Sequence, residues 1–101
     1  MKLIPLAVQP NQTLSVVLAG QNCQIAVYTK STGLFVDLSV DNIPIVTAAL
    51  ARDRNRIVRV PGDVFVGDLT FYDTQGLNDP TYDGFGTRYQ FAYIESTDAL
   101  Y

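Results

Sequence analysis

The feature that most constrains this chain is an alternation of period two through much of its length. Leu14, Val16 and Leu18 share one side of an extended segment, with Thr13 and Ser15 on the other. Cys23, Ile25 and Val27 alternate with Gln24, Ala26 and Tyr28; Leu34, Val36, Leu38 and Val40 alternate with Asp37 and Ser39. Successive side chains of a strand point to opposite faces, so each run reads as a strand with one face on a core. Ala19-Gly20-Gln21-Asn22, Ser31-Thr32-Gly33 and Asp41-Asn42 separate the runs. Each is short enough for a hairpin and rich in turn-forming residues. A meander of three or four strands is expected from about residue 12 to residue 50.

Beyond it the pattern loosens. Residues 46–52 are alanine-bearing but short, and they follow β-branched residues, so a strand running into a loop is expected. Two short apolar runs, residues 57–60 and 64–66, flank a Pro61-Gly62-Asp63 turn, and Gly67 marks a break or bulge before Leu69-Thr70-Phe71-Tyr72. Residues 73–86 form a long irregular loop carrying Gly76, Gly84, Gly86 and Pro80. A last strand is expected over residues 87–95, with Tyr89, Phe91 and Tyr93 on one side, then a loose tail over 96–101. These elements predict a single β domain over residues 1–101, all-β, a small antiparallel β-barrel or sandwich of six to eight short strands. Such a fold must protect its edges; Lys30, Arg59 and the prolines are candidates, as is a permanent neighbour.

Composition narrows the function. The chain has no His, which removes the commonest general base and metal ligand. The single Cys excludes an intrachain disulfide and any multi-cysteine zinc site. Cys23, alternating with apolar residues, reads as a buried small hydrophobe rather than a nucleophile. The net charge of −3 argues against nucleic-acid recognition. No apolar run approaches the ~20 residues of a membrane span, and Pro5 interrupts the apolar start, so neither membrane insertion nor a signal peptide is expected. Charged residues are only 17% of the chain, which suits a surface covered by partners.

Three constellations bear on binding. Asp73, Asp79 and Asp83 offer hard oxygen ligands in a glycine-bearing loop, but their spacing matches no EF-hand, and turn chemistry explains them as well. No cofactor or metal is expected. A paired-carboxylate glycosidase site beside Tyr82 is the weaker enzymatic thought, since nothing sets two acids at the required separation. Arg52, Arg54, Arg56 and Arg59 are four of the seven cations, whereas seven of the ten acids lie beyond residue 62. These are two unlike faces for head-to-side association, or else a solvated loop with weak local ion pairs. Seven of the eleven aromatics fall in the last 30 residues, which suits an interface or an aromatic core.

Two stretches carry a family likeness. The first is Ile4-Pro5-Leu6 with Pro10-Asn11-Gln12-x-Leu14-x-Val16-x-Leu18. The second is Gly67-Asp68-Leu69-x-Phe71-x-Asp73-Thr74-Gln75-Gly76 followed by Asp79-Pro80-x-Tyr82-x-Gly84-x-Gly86-x-Arg88-Tyr89. Together they resemble the small baseplate plug proteins of contractile-tailed bacteriophages, including cyanophage-type myophages. The likeness spans Ile4 to Tyr93.

The resemblance implies a structural virion protein, not an enzyme, assembled in the host cytoplasm into the tail baseplate. It would plug or seal the central channel and join hub, tail tube end and central spike. The two unlike charged faces predict self-association in a three-fold or six-fold ring, and the resemblance favours three-fold, beside a spike of that symmetry. The expected partner interface comprises Arg52, Arg54, Arg56, Arg59, Asp73, Gln75, Asp79, Pro80, Tyr82, Phe85, Arg88 and Tyr89. The alternatives are a carbohydrate- or receptor-binding β-module using the Tyr-rich loop, and a small cell-wall hydrolase.

Overall fold

A computed structural model describes residues 2–58 and 67–95. Among the described residues seven strands run in the order β1 (Lys2–Leu3), β2 (Asn11–Leu18), β3 (Gln21–Lys30), β4 (Gly33–Val40), β5 (Ile43–Leu50), β6 (Asp68–Asp73) and β7 (Tyr89–Ile94). The one helical element described is a 3₁₀ turn, Tyr82–Gly84.

The expected meander is a four-stranded antiparallel sheet of order β2-β3-β4-β5. Two-residue turns set its register. Ala19 and Gly20 have φ of 51° and 75°, and Asp41 and Asn42 have φ of 50° and 65°, the positive values that suit tight hairpins to strand twist. Leu14 then faces Ile25, and Ile25 faces Leu38. Cys23, Ile25 and Val27 of β3 and Leu34, Val36, Leu38 and Val40 of β4 are all buried, as the alternation requires.

β1, β7 and β6 form a second antiparallel sheet, with β7 in the middle. Its inward residues Leu69, Phe71, Tyr89, Phe91 and Tyr93 join those of the first sheet in one core cluster. The two sheets are not hydrogen-bonded into a closed cylinder among the described residues, so the architecture is a sandwich. Phe71 lies at its centre, stacked on Phe91 at 4.5 Å and on Phe85 at 5.8 Å between ring centroids. Full burial of each such ring contributes roughly 1.5–3 kcal/mol. The crowd of C-terminal aromatics is thus largely core: Phe85, Tyr89, Phe91 and Tyr93 are buried, whereas Tyr82 stays exposed.

Strands β6 and β7 of the second sheet are buried on both faces. Asp68, Thr70, Ala92 and Ile94, on the side away from the core, are also buried. Residues 53–58 lie along β6 and occupy its free edge. Arg54 N–H donates to the Phe71 carbonyl at 2.7 Å, and Ile57 N–H to that of Leu69 at 2.9 Å. Side chains complete the seam: Asp68 Oδ1 accepts from the amides of Ile57, Val58 and Leu69, and Thr70 Oγ1 donates to the Asn55 carbonyl.

The sequence-based expectations need three adjustments. Lys30 lies on β3, an inner strand, so it protects no edge; its ammonium instead sits 5.5 Å from the ring centroid of Tyr28 and 5.9 Å from that of Phe35. The final strand begins at Tyr89, because Thr87 and Arg88 are needed to turn the chain. Ile57 and Val58 are buried but not in a strand: the Ile57 amide is shared between the Leu69 carbonyl and Asp68 Oδ1, and the Val58 amide goes to Asp68 Oδ1. The apolar run 64–66, Arg59 and the tail 96–101 lie outside the described residues. Among the prolines, Pro44 does sit on an edge, in β5.

Candidate functional site

β6 ends at Asp73 and β7 starts at its cross-strand partner Tyr89, so the intervening loop leaves and re-enters the sheet at one point. That neck is closed by side chains. Arg88 approaches Asp73 as a fork, Nε to Oδ1 and Nη2 to Oδ2, both at 2.9 Å. The same two oxygens accept the backbone amides of Gln75 at 2.9 Å and Asn78 at 3.0 Å. One carboxylate therefore fixes three points of the loop. Planar two-point recognition of this kind is stronger and more directional than a simple ion pair. The Arg88 guanidinium and the two amides hold the Asp73 carboxyl well below the usual carboxylate range, against the opposing effect of burial. Thr74 adds a second clasp, its N–H and Oγ1 both donating to the Arg88 carbonyl.

The arginine-bearing segment is tied into the same structure. Asp53 Oδ1 accepts the Asp73 amide at 2.7 Å, and the Asp53 amide donates to Asp79 Oδ1 at 3.0 Å. Arg54 pairs with Asp53 at 2.6 Å and reaches the carbonyls of Asp73 and Gly76. Arg54 therefore meets the loop through its backbone carbonyls while its ion pair stays with its neighbour Asp53, and Arg52, Arg54 and Arg56 are all exposed.

The rest of the loop packs on the core. Phe85 is buried against Phe71, and Pro80 is also buried. Gly84 lies against the Tyr89 ring, where an added Cβ would come within 2.5 Å of it, so this position admits no side chain without a shift. The expected interface residues thus divide. Asp73, Pro80, Phe85 and Tyr89 are buried and Arg88 is half-buried, and these build and anchor the loop. Gln75, Asp79 and Tyr82 are on its surface.

One further residue stands out on the loop surface. Leu77 is 81% exposed, the most exposed large hydrophobic side chain among the described residues. It sits between Gly76, whose carbonyl faces Arg54, and Asn78, whose amide is held by Asp73. The signal in the sequence was a lone aliphatic residue amid polar and glycine neighbours.

The loop acids have structural employment as well as negative charge. Asp73 serves Arg88 and two amides, Asp79 serves the Asp53 amide, and Asp83 accepts the Thr81 hydroxyl at 2.5 Å. Among the described residues no group of three or more acids, His or Cys is arranged to hold a metal ion. Cys23 is buried in the core face of β3, and burial pushes its thiol up from the ordinary value. No described helix is long and apolar enough to cross a membrane.

A search of curated proteins finds no match. A family model described as the cyanophage baseplate Pam3 plug gp18 matches residues 1–97. That match takes in the meander, the Asp73–Arg88 staple and the loop between its two residues, and the chain accordingly belongs to the cyanophage baseplate plug family.

Proposed function

We propose that this baseplate protein plugs the central channel of the tail, docking through its 73–88 loop onto the hub, tube end or spike around the axis. The observation that carries the reading is the display of Leu77 on a stapled loop. A single exposed leucine is common on protein surfaces; this one is set apart by the loop that carries it, which is held at Asp73, Thr74 and Arg88. A rigid loop has little conformational entropy left to lose on binding, so it suits a small apolar anchor seated in a partner's pocket. Tyr82, Gln75 and Asp79 on the same loop, and Arg52 and Arg56 beside it, supply a polar rim. Copies would meet in a three-fold or six-fold ring about the axis, with unlike faces in contact. Its assembly into the virion takes place in the host cytoplasm, and its role there is structural.

The test is Leu77→Asp. Because the side chain is exposed, the purified variant should melt with the wild type. Its recovery in assembled tails should fall about tenfold or more, the effect of losing an interface anchor worth at least ~1.4 kcal/mol. Normal incorporation would remove the loop from the docking surface. A reconstruction of the tail tip that puts the protein at the outer rim would remove the plug reading itself.

A further inference from the structure

The two edges of the four-stranded sheet are built differently. β5, at one edge, carries three devices that blunt strand addition. Pro44 has no N–H, Ala48 adopts a φ of 55°, and the pairing with β4 shifts register twice. The Ala48 amide is turned back into its own sheet, donating to Asp37 Oδ1 at 2.7 Å. β2, at the other edge, has none of these. All eight residues pair with β3 in unbroken register, and Asn11–Leu18 contains no proline and no charge.

The register tells which backbone groups of β2 point away from β3. The Asn22 carbonyl is bonded to the Asp41 amide on the β4 side, so Asn22 faces away from its β2 partner Val17. In an antiparallel ladder this alternates residue by residue. Asn11, Thr13, Ser15 and Val17 therefore present their N–H and C=O groups outward. Among the described residues no hydrogen bond reaches those groups. On the core side, Leu14 and Val16 of β2 stay half-exposed, unlike their buried counterparts on β3 and β4. Backbone and apolar groups are both left incomplete along this one margin.

We infer that β2 is a strand-acceptor edge, completed in the particle by an extended segment of another tail protein that adds a fifth strand beside it. The inference rests on the axial-ring reading. Among the described residues, a copy of this chain offers only poor donor edges in such a ring. Its β5 edge is blunted, and its β1 spans two residues. Pairing β2 with a second β2 in antiparallel fashion needs a two-fold axis, which a ring of copies about one axis lacks. The mate is instead an uncharged segment of short or β-branched residues, because the side chains beside it are Thr13, Ser15 and Val17.

Amide hydrogen exchange compares the free protein with intact tails. Exchange in the segment Asn11–Leu18 is expected to slow by about tenfold or more on assembly, while β5 changes little. Equal exchange in both states overturns the inference. Slow exchange in the free protein that quickens on dilution also overturns it, since a second copy then covers β2. Ser15→Pro provides an independent arm: it deletes one outward N–H and no bond to β3. The folded variant is expected to enter tails about tenfold less than wild type, and normal entry counts against the edge. If the variant does not fold, the exchange comparison on the unaltered protein decides. Protein found at the axis with a freely exchanging β2 sinks this inference alone; protein found away from the axis sinks the plug reading.

Discussion

The meander and the loop-bearing half of the sandwich are stabilised by different means. β2 to β5 are neighbours in sequence, joined by two-residue turns, and the inner strands β3 and β4 each bury one face. Their order follows from local turn chemistry and hydrophobic alternation. The β1-β7-β6 half brings together residues far apart in sequence, and it does so with buried carboxylates. Asp68 takes the amides of residues 57 and 58, Asp53 takes that of Asp73, and Asp73 takes Arg88 and two loop amides. Irregular backbone cannot satisfy its own N–H groups, so side-chain acceptors must stand in for a ladder. Alternating apolar residues specify a sheet, whereas a docking loop needs individually placed polar groups.

Substituting the middle ring of the aromatic stack in the core gives the largest expected effect. Phe71→Ala removes the ring on which Phe85 and Phe91 stack, and should destabilise the whole domain by about 3–5 kcal/mol. Denaturant unfolding followed by signals from each half should shift together; a loss confined to the second sheet would make the halves separate folding units.

Cys23→Ser tests the meander alone. It places a hydroxyl in an apolar, buried site and should cost about 1–3 kcal/mol, measured by the same unfolding experiment. Rapid labelling of the native thiol would contradict the burial on which this rests.

The third test separates the loop from the sheets. Asp73→Asn leaves one acceptor oxygen and turns an amide toward the Arg88 donors. It should speed hydrogen exchange over residues 74–80 while β2 to β5 keep their protection. Acid should act in the same way. A carboxyl whose folded value is depressed stabilises the fold fully above its unfolded value, and that stabilisation fades as pH falls. The staple is therefore complete at neutral pH and weakens as pH drops below about 4, toward the depressed value in the folded chain. Loop exchange that stays constant from pH 6 to pH 3, after correction for intrinsic rates, would show that Asp73 is not what holds the loop.

The smallest effect belongs to the β5 bulge. Ala48→Gly relieves a left-handed backbone at a residue with a Cβ, at some cost in unfolded-chain entropy, and should raise stability by about 0.5–1 kcal/mol. An unchanged or lower melting temperature would mean that the bond from Ala48 N–H to Asp37 already offsets the strain.

The amino-acid order by itself determined the all-β class, the meander, its three turns and the buried side of Cys23, because those depend on neighbours one to three residues away. It also carried the glycines and the Asp–Arg pair of the signature loop, though not their use. Only the tertiary structure decided that Asp73 and Arg88 form one fork, that Arg54 is drawn onto the loop, and that Tyr89 and Tyr93 are core rather than surface. It also decided that Leu77 stands bare, that Lys30 lies on an inner strand, and that β2 is the open edge while β5 is blunted. These depend on which strands become neighbours. Strand order is set by the summed burial and hydrogen bonding of distant segments, and no local pattern in the chain encodes that sum.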